Sequence, residues 1–270
     1  MKVIISPAKK MKMEEVMEWK DKPVYLDETG VILEYLRSLS HEELKALWGC
    51  NDKIAAVNFQ RLESMHFDGD LSPAILSYEG IQYQYMAPGV FESSSYEWIQ
   101  ENLRILSGFY GILKPMDGIM PYRLEMQAKA PVGGASDLYD FWGDKLYRAL
   151  VGTGAAGEDS AAGENDAAQT GDHVILNLAS KEYSKTIEKY LTPDDTFITC
   201  IFAEEVEGKA GKGSKLVQKG TLAKMARGEM VRYLAEIQAA GPEDVKDFDR
   251  LGYRFRAEKS SETEYVFVKE

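Results

Sequence analysis

Apolar positions recur along the chain with two different periods, and their alternation predicts a mixed architecture. Residues 2–5 form a β-branched run, Lys-Val-Ile-Ile, that stops at Ser6-Pro7 and reads as a strand running into a loop. The runs at 174–180 (VILNLAS) and 196–202 (TFITCIF) predict two more buried strands. Helical spacing governs other stretches. Leu44 and Leu47 follow Ser40 and Glu43, which have the spacing of a capping box, and Gly49 closes that short helix. Ile99, Leu103 and Leu106 predict a helix over 96–106 that ends near Ser107-Gly108. The longest helical pattern, 221–239, puts Leu222, Met225, Leu234 and Ile237 on one side. Residues 252–256 (GYRFR) and 264–268 (EYVFV) read as a terminal antiparallel pair. Strands and helices mixed in this way predict an α/β (mixed α+β) fold. We expect a single large domain over residues 1–270, with a mixed sheet and surrounding helices.

Composition adds one segment that belongs to no element. Residues 152–172 (GTGAAGEDSAAGENDAAQTGD) hold no bulky apolar side chain and read as a flexible acidic insertion. With 44 acidic and 32 basic residues the formal net charge is −12. Glu158, Asp159, Glu164, Asp166 and Asp172 in the insertion supply five of those negative charges. A hydrophobic fraction of 44% excludes wholesale disorder, and no apolar run approaches the ~20 residues of a membrane span. The short apolar start is followed at once by lysines, unlike a signal peptide, and Cys50 and Cys200 are too few for a disulfide framework. A cytoplasmic chain with no membrane partner is expected. Excess acid argues against coating nucleic acid through bulk charge. Yet Lys209, Lys212, Lys215, Lys219, Lys224, Arg227 and Arg232 gather in one stretch against Glu229 alone, so a local basic patch stays open. Lys224 and Arg227 share a helix face, and the mid-helix Gly228, worth ~1 kcal/mol against Ala, predicts close approach of another backbone or of a ligand.

Candidate chemistry is uneven. His41, His66 and His173 have no metal-binding spacing and pair with no Cys-x-x-Cys, so we expect no histidine metal site and no cofactor. The stretch GKAGKGSK at 208–215 fails as a phosphate-binding P-loop, because Ser214 precedes Lys215, and reads as a basic loop between strands. Segment 101–126 is the densest. Gly108 and Gly111, three apart between two expected helices, could expose backbone N–H groups to a phosphate, with Lys114 and Arg123 adding charge. They could equally form a closely packed corner. Arg123 and Glu125, beside Tyr122, could clamp and orient an anion or simply pair with each other. Ser6 and Lys9 follow the first strand, and Asn177, Ser180, Lys181 and Glu182 lie at and beyond the end of a later one, where α/β folds place ligands.

Five motifs in order, ISPAK (5–9), LSGFYGILKPMDGIMPYRLEM (106–126), LYDFWGD (138–144), NLASKEY (177–183) and KMARGEM (224–230), resemble the signatures of the YaaA peroxide-stress protein family. The resemblance spans essentially the whole chain, and the 152–172 insertion departs from it. It implies a cytoplasmic protein of the response to hydrogen peroxide, linked to iron homeostasis and to less hydroxyl-radical damage to DNA. It also implies an embedded helix-hairpin-helix-like element and a basic cleft that bind the backbone of duplex or branched DNA. The hairpin would fall on Ser107, Gly108, Tyr110 and Gly111, and the cleft would draw on Lys9, Lys53, Lys114, Arg123, Lys181, Lys224 and Arg227. A monomer is expected. No established reaction travels with the resemblance. The alternative is an enzyme acting on a nucleotide, a modified base or another phosphate-bearing small molecule. Ser6, Lys9, Tyr122, Arg123, Glu125, Asn177, Ser180 and Glu182 would then converge on one pocket.

Overall fold

Eight strands form one mixed sheet in the computed structural model, which describes residues 1–14, 17–152, 173–207 and 214–270. Residues 153–172 of the acidic insertion lie outside the described residues, as do Lys209 and Lys212 with most of the glycine-rich stretch around them. The strands are β1 (Lys2–Ile5), β2 (Leu103–Ser107), β3 (Gly111–Leu113), β4 (His173–Asn177), β5 (Asp195–Val206), β6 (Lys215–Val217), β7 (Tyr253–Phe255) and β8 (Glu264–Lys269). Their order is β7-β8-β5-β4-β1-β2-β3, with β6 paired to β5. β1, β2, β4, β5 and β8 run parallel to their neighbours in this set, while β3, β6 and β7 are antiparallel to theirs.

The apolar run at 2–5 follows from its place in this sheet. Val3 pairs with Leu103 on one side and Leu176 on the other, and Val3, Ile4 and Ile5 are all 0% exposed. A central parallel strand covered on both faces needs apolar residues at consecutive positions. The predicted strand at 174–180 is β4 as far as Asn177, with 178–180 already in the connection into the next helix; 196–202 is the middle of β5, and the terminal pair is β7 and β8. One hydrophobic core runs from Val3 to Phe267, where Phe267 stacks on Phe202 with ring centroids 5.2 Å apart.

The helices needed below are α1 (Leu26–Ser38), α2 (His41–Trp48), α3 (Asp52–Ser64), α4 (Ile81–Met86), α5 (Ser93–Asn102), α6 (Lys181–Glu188) and α7 (Gly220–Glu236). The capping box of α2 is formed: Glu43 N–H donates to Ser40 Oγ at 3.4 Å and Ser40 N–H to Glu43 Oε2 at 2.8 Å. The mid-helix glycine of α7 meets a backbone. A Cβ on Gly228 would collide with the carbonyl oxygen of Gln82 in α4, so the two helices touch without an intervening side chain.

The expected helix-hairpin-helix around Gly108 is a β-hairpin instead. α5 stops at Asn102, and 103–107 crosses into the sheet as β2. Ile99, Leu103 and Leu106 fit a helix face, but Leu103, Ile105 and Leu106 are all 0% exposed and satisfy a strand buried on both faces equally well. Pairing with β1 decides the outcome. Ser107 Oγ accepts from Phe109 N–H at 3.2 Å and Tyr110 N–H at 2.9 Å, so these donors are consumed inside the turn. Ser107, Phe109 and Tyr110 are at most 1% exposed, which leaves that turn no phosphate-binding face. A Cβ on Gly108 would lie 2.9 Å from Leu124 O, so this glycine permits close packing against 124–126. A helix, short link and helix do occur in sequence, at α2 and α3, joined by Gly49, Cys50 and Asn51.

Candidate functional site

The chain leaves β1 toward β2 on one side of it and leaves β4 toward β5 on the other, so the carboxyl ends of β1 and β4 open a crevice between diverging connections. Such a switch point is where open α/β sheets bind ligands. Ser6 directly follows β1, and Ser180 caps the start of α6 just beyond β4. Ser180 N–H donates to Ser6 Oγ at 2.8 Å, and Ser6 Oγ lies 3.2 Å from Ser180 Oγ, which fixes the floor. The cavity above it has a volume of about 480 Å³.

Three other elements wall it. The extended segment packed on Gly108 brings Tyr122, Arg123 and Glu125; α4 brings Gln82 and Tyr83; α7 brings Lys224 and Arg227 one turn apart. The contact of Gly228 with Gln82 holds the second and third walls together.

The charges in this cavity do not balance. Lys9, Lys10, Arg123, Lys224 and Arg227 face Glu79, Glu125 and Glu182. Lys9 Nζ pairs with Glu125 Oε1 at 2.7 Å and Lys10 with Glu79 at 3.1 Å, whereas Arg123 is 3.9 Å from Glu125, the long limit of an ion pair. Lys9 is largely exposed, so its pair contributes little to stability. Burial pulls the Arg227 guanidinium below its ordinary pKa, and no carboxylate among the described residues pairs with it. The Nε atoms of Arg123 and Arg227 and the Nε2 of Gln82 are all buried without a hydrogen-bond partner. Three residues that line one cavity thus each keep a buried donor unpaired, a cost that turning these side chains onto the acceptor oxygens of a ligand would relieve. Burial pushes the Glu182 carboxyl above its ordinary range, with the Glu125 charge adding to the rise and the Gln127 N–H, 3.3 Å from Glu182 Oε1, opposing it. The arrangement gathers two arginines and a carboxyl held above its ordinary range on one cavity, the kinds of group that anion binding and proton transfer use.

Relatives match this sequence over its full length. The family model described as peroxide stress protein YaaA matches residues 1–259. The chain belongs to the YaaA family. A UPF0246 protein of Agathobacter rectalis is 54% identical over 268 residues, covering 99% of this chain and 98% of the relative. UPF0246 proteins of Lachnoclostridium phytofermentans and Desulfitobacterium hafniense are 51% and 48% identical over 270 residues, covering all of this chain and 96% and 98% of theirs. Membership of the YaaA family supports a role in peroxide stress.

In this YaaA-family chain, seven of the eight residues expected in one pocket line the cavity: Ser6, Lys9, Tyr122, Arg123, Glu125, Ser180 and Glu182. Asn177 does not. Its Nδ2 donates to Thr199 Oγ1 at 3.2 Å and its Oδ1 accepts from Ala179 N–H at 2.9 Å, so it braces the chain beyond β4 and borders a neighbouring cavity. The Tyr122 hydroxyl is also committed, 2.6 Å from Ser107 Oγ and 2.8 Å from Tyr78 OH, and burial pushes its pKa up to about 12. Of the residues expected to meet DNA, Lys9, Arg123, Lys224 and Arg227 line the cavity. Lys53 is exposed on the first turn of α3, Lys114 is exposed just beyond β3, and Lys181 is ion-paired with Glu188 within α6. Ser107, Gly108, Tyr110 and Gly111 are the buried β-hairpin. Gln82 and Tyr83 stand in none of the five motifs; the one sequence signal toward them is Gly228, which calls for a backbone neighbour without identifying it. Among the described residues no group of three His, Cys, Asp or Glu could hold a metal ion, and no helix is long and apolar enough to cross a membrane.

Proposed function

We propose that this protein serves the peroxide response by binding, and acting on, a phosphate-bearing small molecule in the crevice between β1 and β4. The observation that carries this reading is the pair of arginines, Arg123 and Arg227, whose buried Nε atoms lack partners on a cavity that also holds Ser6, Ser180, Glu125 and Glu182. A nucleotide or modified nucleotide fits both the charge and the volume. Calorimetric titration with inorganic phosphate and nucleoside phosphates tests it: wild-type protein binds, and a variant with Lys224→Glu and Arg227→Glu does not. Equal binding by the two proteins removes the assignment.

A second reading, binding of DNA that limits iron-dependent oxidative damage, is favoured by Lys9, Lys10 and Lys224, which stand exposed on the lining of the same crevice. Lys53, at the start of the second helix of the α2–α3 pair, would extend that contact. A duplex cannot enter a cavity of about 480 Å³, so contact would be confined to phosphates at the mouth. Affinity should then fall steeply with salt, Lys53→Glu should weaken DNA binding alone, and a nucleotide should not displace the duplex from an Arg227→Met variant. Cells lacking the protein should regain survival in hydrogen peroxide with the wild-type chain and not with the double charge reversal.

A further inference from the structure

A second cavity adjoins the crevice and shares two residues with it. This groove, of about 720 Å³, is bordered by Lys9 and Glu125, the ion pair at 2.7 Å that also lines the crevice. The pair is therefore a common boundary, and with Lys9 largely exposed it can part at little cost. Beyond it the character of the lining changes. Tyr35 and Leu39 from α1 and the residue following it, with Leu47 and Trp48 from α2, supply apolar surface, while Gln127 and Lys129 are exposed along it.

Two observations say what such a groove takes. Trp48 is 4% exposed, so the groove offers the apolar side chains of Tyr35, Leu39 and Leu47 rather than the indole N–H, while Gln127 and Lys129 supply polar groups. An aliphatic occupant gives Gln127 and Lys129 on the polar rim no new partner, whereas a heteroaromatic ring offers both a flat apolar face and polar atoms at its edge. The groove is also tied to the anion site, since Arg123 Nη2 donates to Trp48 O at 3.3 Å. An arginine that lines the crevice is thus braced by a tryptophan that lines the groove.

We infer that the ligand is a nucleotide whose phosphate lies on the arginine side of the crevice and whose base lies in the groove beyond the Lys9–Glu125 pair. This rests on the crevice being a phosphate site. The base contributes affinity that a sugar phosphate lacks, and Lys9 and Glu125 flank the sugar between the two halves.

The test compares inorganic phosphate, ribose 5-phosphate and the four common ribonucleoside 5′-monophosphates by calorimetry. The proteins are wild type and Ala46→Trp, because Ala46 is exposed on α2 and borders the groove, so a large side chain there fills it without entering the core. At least one nucleotide should bind wild type about tenfold or more tightly than ribose 5-phosphate. Ala46→Trp should erase that advantage and leave inorganic phosphate binding unchanged, which also shows that the variant is folded. Equal affinity for nucleotide and ribose 5-phosphate, or a nucleotide advantage that survives Ala46→Trp, overturns the inference while the crevice reading stands. If no phosphate compound binds wild type, the crevice reading falls and takes the inference with it.

Discussion

Gly228 and Gln82, 146 positions apart in the chain, meet backbone to backbone where α7 crosses α4, and this contact brings together the two helices that supply Arg227 and Gln82 to the crevice wall. Replacing Gly228 by Ala brings two opposed effects. Alanine gains ~1 kcal/mol of intrinsic helix propensity. Against that, its Cβ must push away a carbonyl oxygen of the facing backbone, and overpacking of this kind costs roughly 1–3 kcal/mol. The collision should win because no side-chain rotation relieves it. Gly228→Ala should lower the thermal midpoint and weaken phosphate binding together; a more stable variant with intact binding would show that the helices do not touch there.

Arg227 gives the reverse coupling. An intact guanidinium held in a partly buried site without a carboxylate is a cost to the folded state, and that cost makes sense if a ligand meets it. Arg227→Met keeps most of the packing volume and removes the charge. Its midpoint should equal or exceed that of wild type, while affinity for inorganic phosphate falls about tenfold or more. Calorimetry and a melting curve on the same sample decide it. A destabilised variant that still binds phosphate would make Arg227 a structural residue.

Much of the fold was legible because its periods are local. Residues 2–5 and 196–202 carry their strand character in consecutive side chains, and Ser40 with Glu43 writes the start of α2 within four residues. Ser6 and Ser180 could be placed on the crevice because strand ends are readable. The hairpin at 107–111 was not, since Ile99, Leu103 and Leu106 satisfy a helix and a buried strand alike, and only pairing with β1 separates them. Asn177 misled for a different reason. A polar side chain at a strand end signals a need for partners without saying whether the partner is a ligand or, as here, Thr199 and Ala179. Gln82 entered the site through a contact with distant Gly228, which no local pattern encodes.

Asp117 offers a prediction outside the crevice. It is 3% exposed in the turn after β3, and burial pushes its carboxyl up to about 7. The Asp21 charge adds to the rise, while the Lys114 N–H, which donates to Asp117 Oδ2 at 2.8 Å, and the Lys114 and Arg104 charges oppose it. An unfolded aspartate ionises near 3.9, so the folded state holds its proton more tightly than the unfolded chain does. The stability this supplies is complete below about pH 4, declines as the pH rises toward 7, and is gone above it. The gap is worth at most roughly 4 kcal/mol, a large share of a typical domain's stability. Carboxylates with depressed pKa values, such as Glu101 beside Lys2, change stability in the opposite sense over more acidic pH, so the informative quantity is the difference between wild type and Asp117→Asn. The asparagine keeps an oxygen for the Lys114 N–H and cannot ionise. Asp117→Asn should therefore match wild type near pH 4 and gain on it steadily up to pH 7, with a constant advantage at pH 8. Parallel melting curves across that whole range would mean that Asp117 is ionised at neutral pH at no cost, and that its burial is compensated by Lys114 and Arg104.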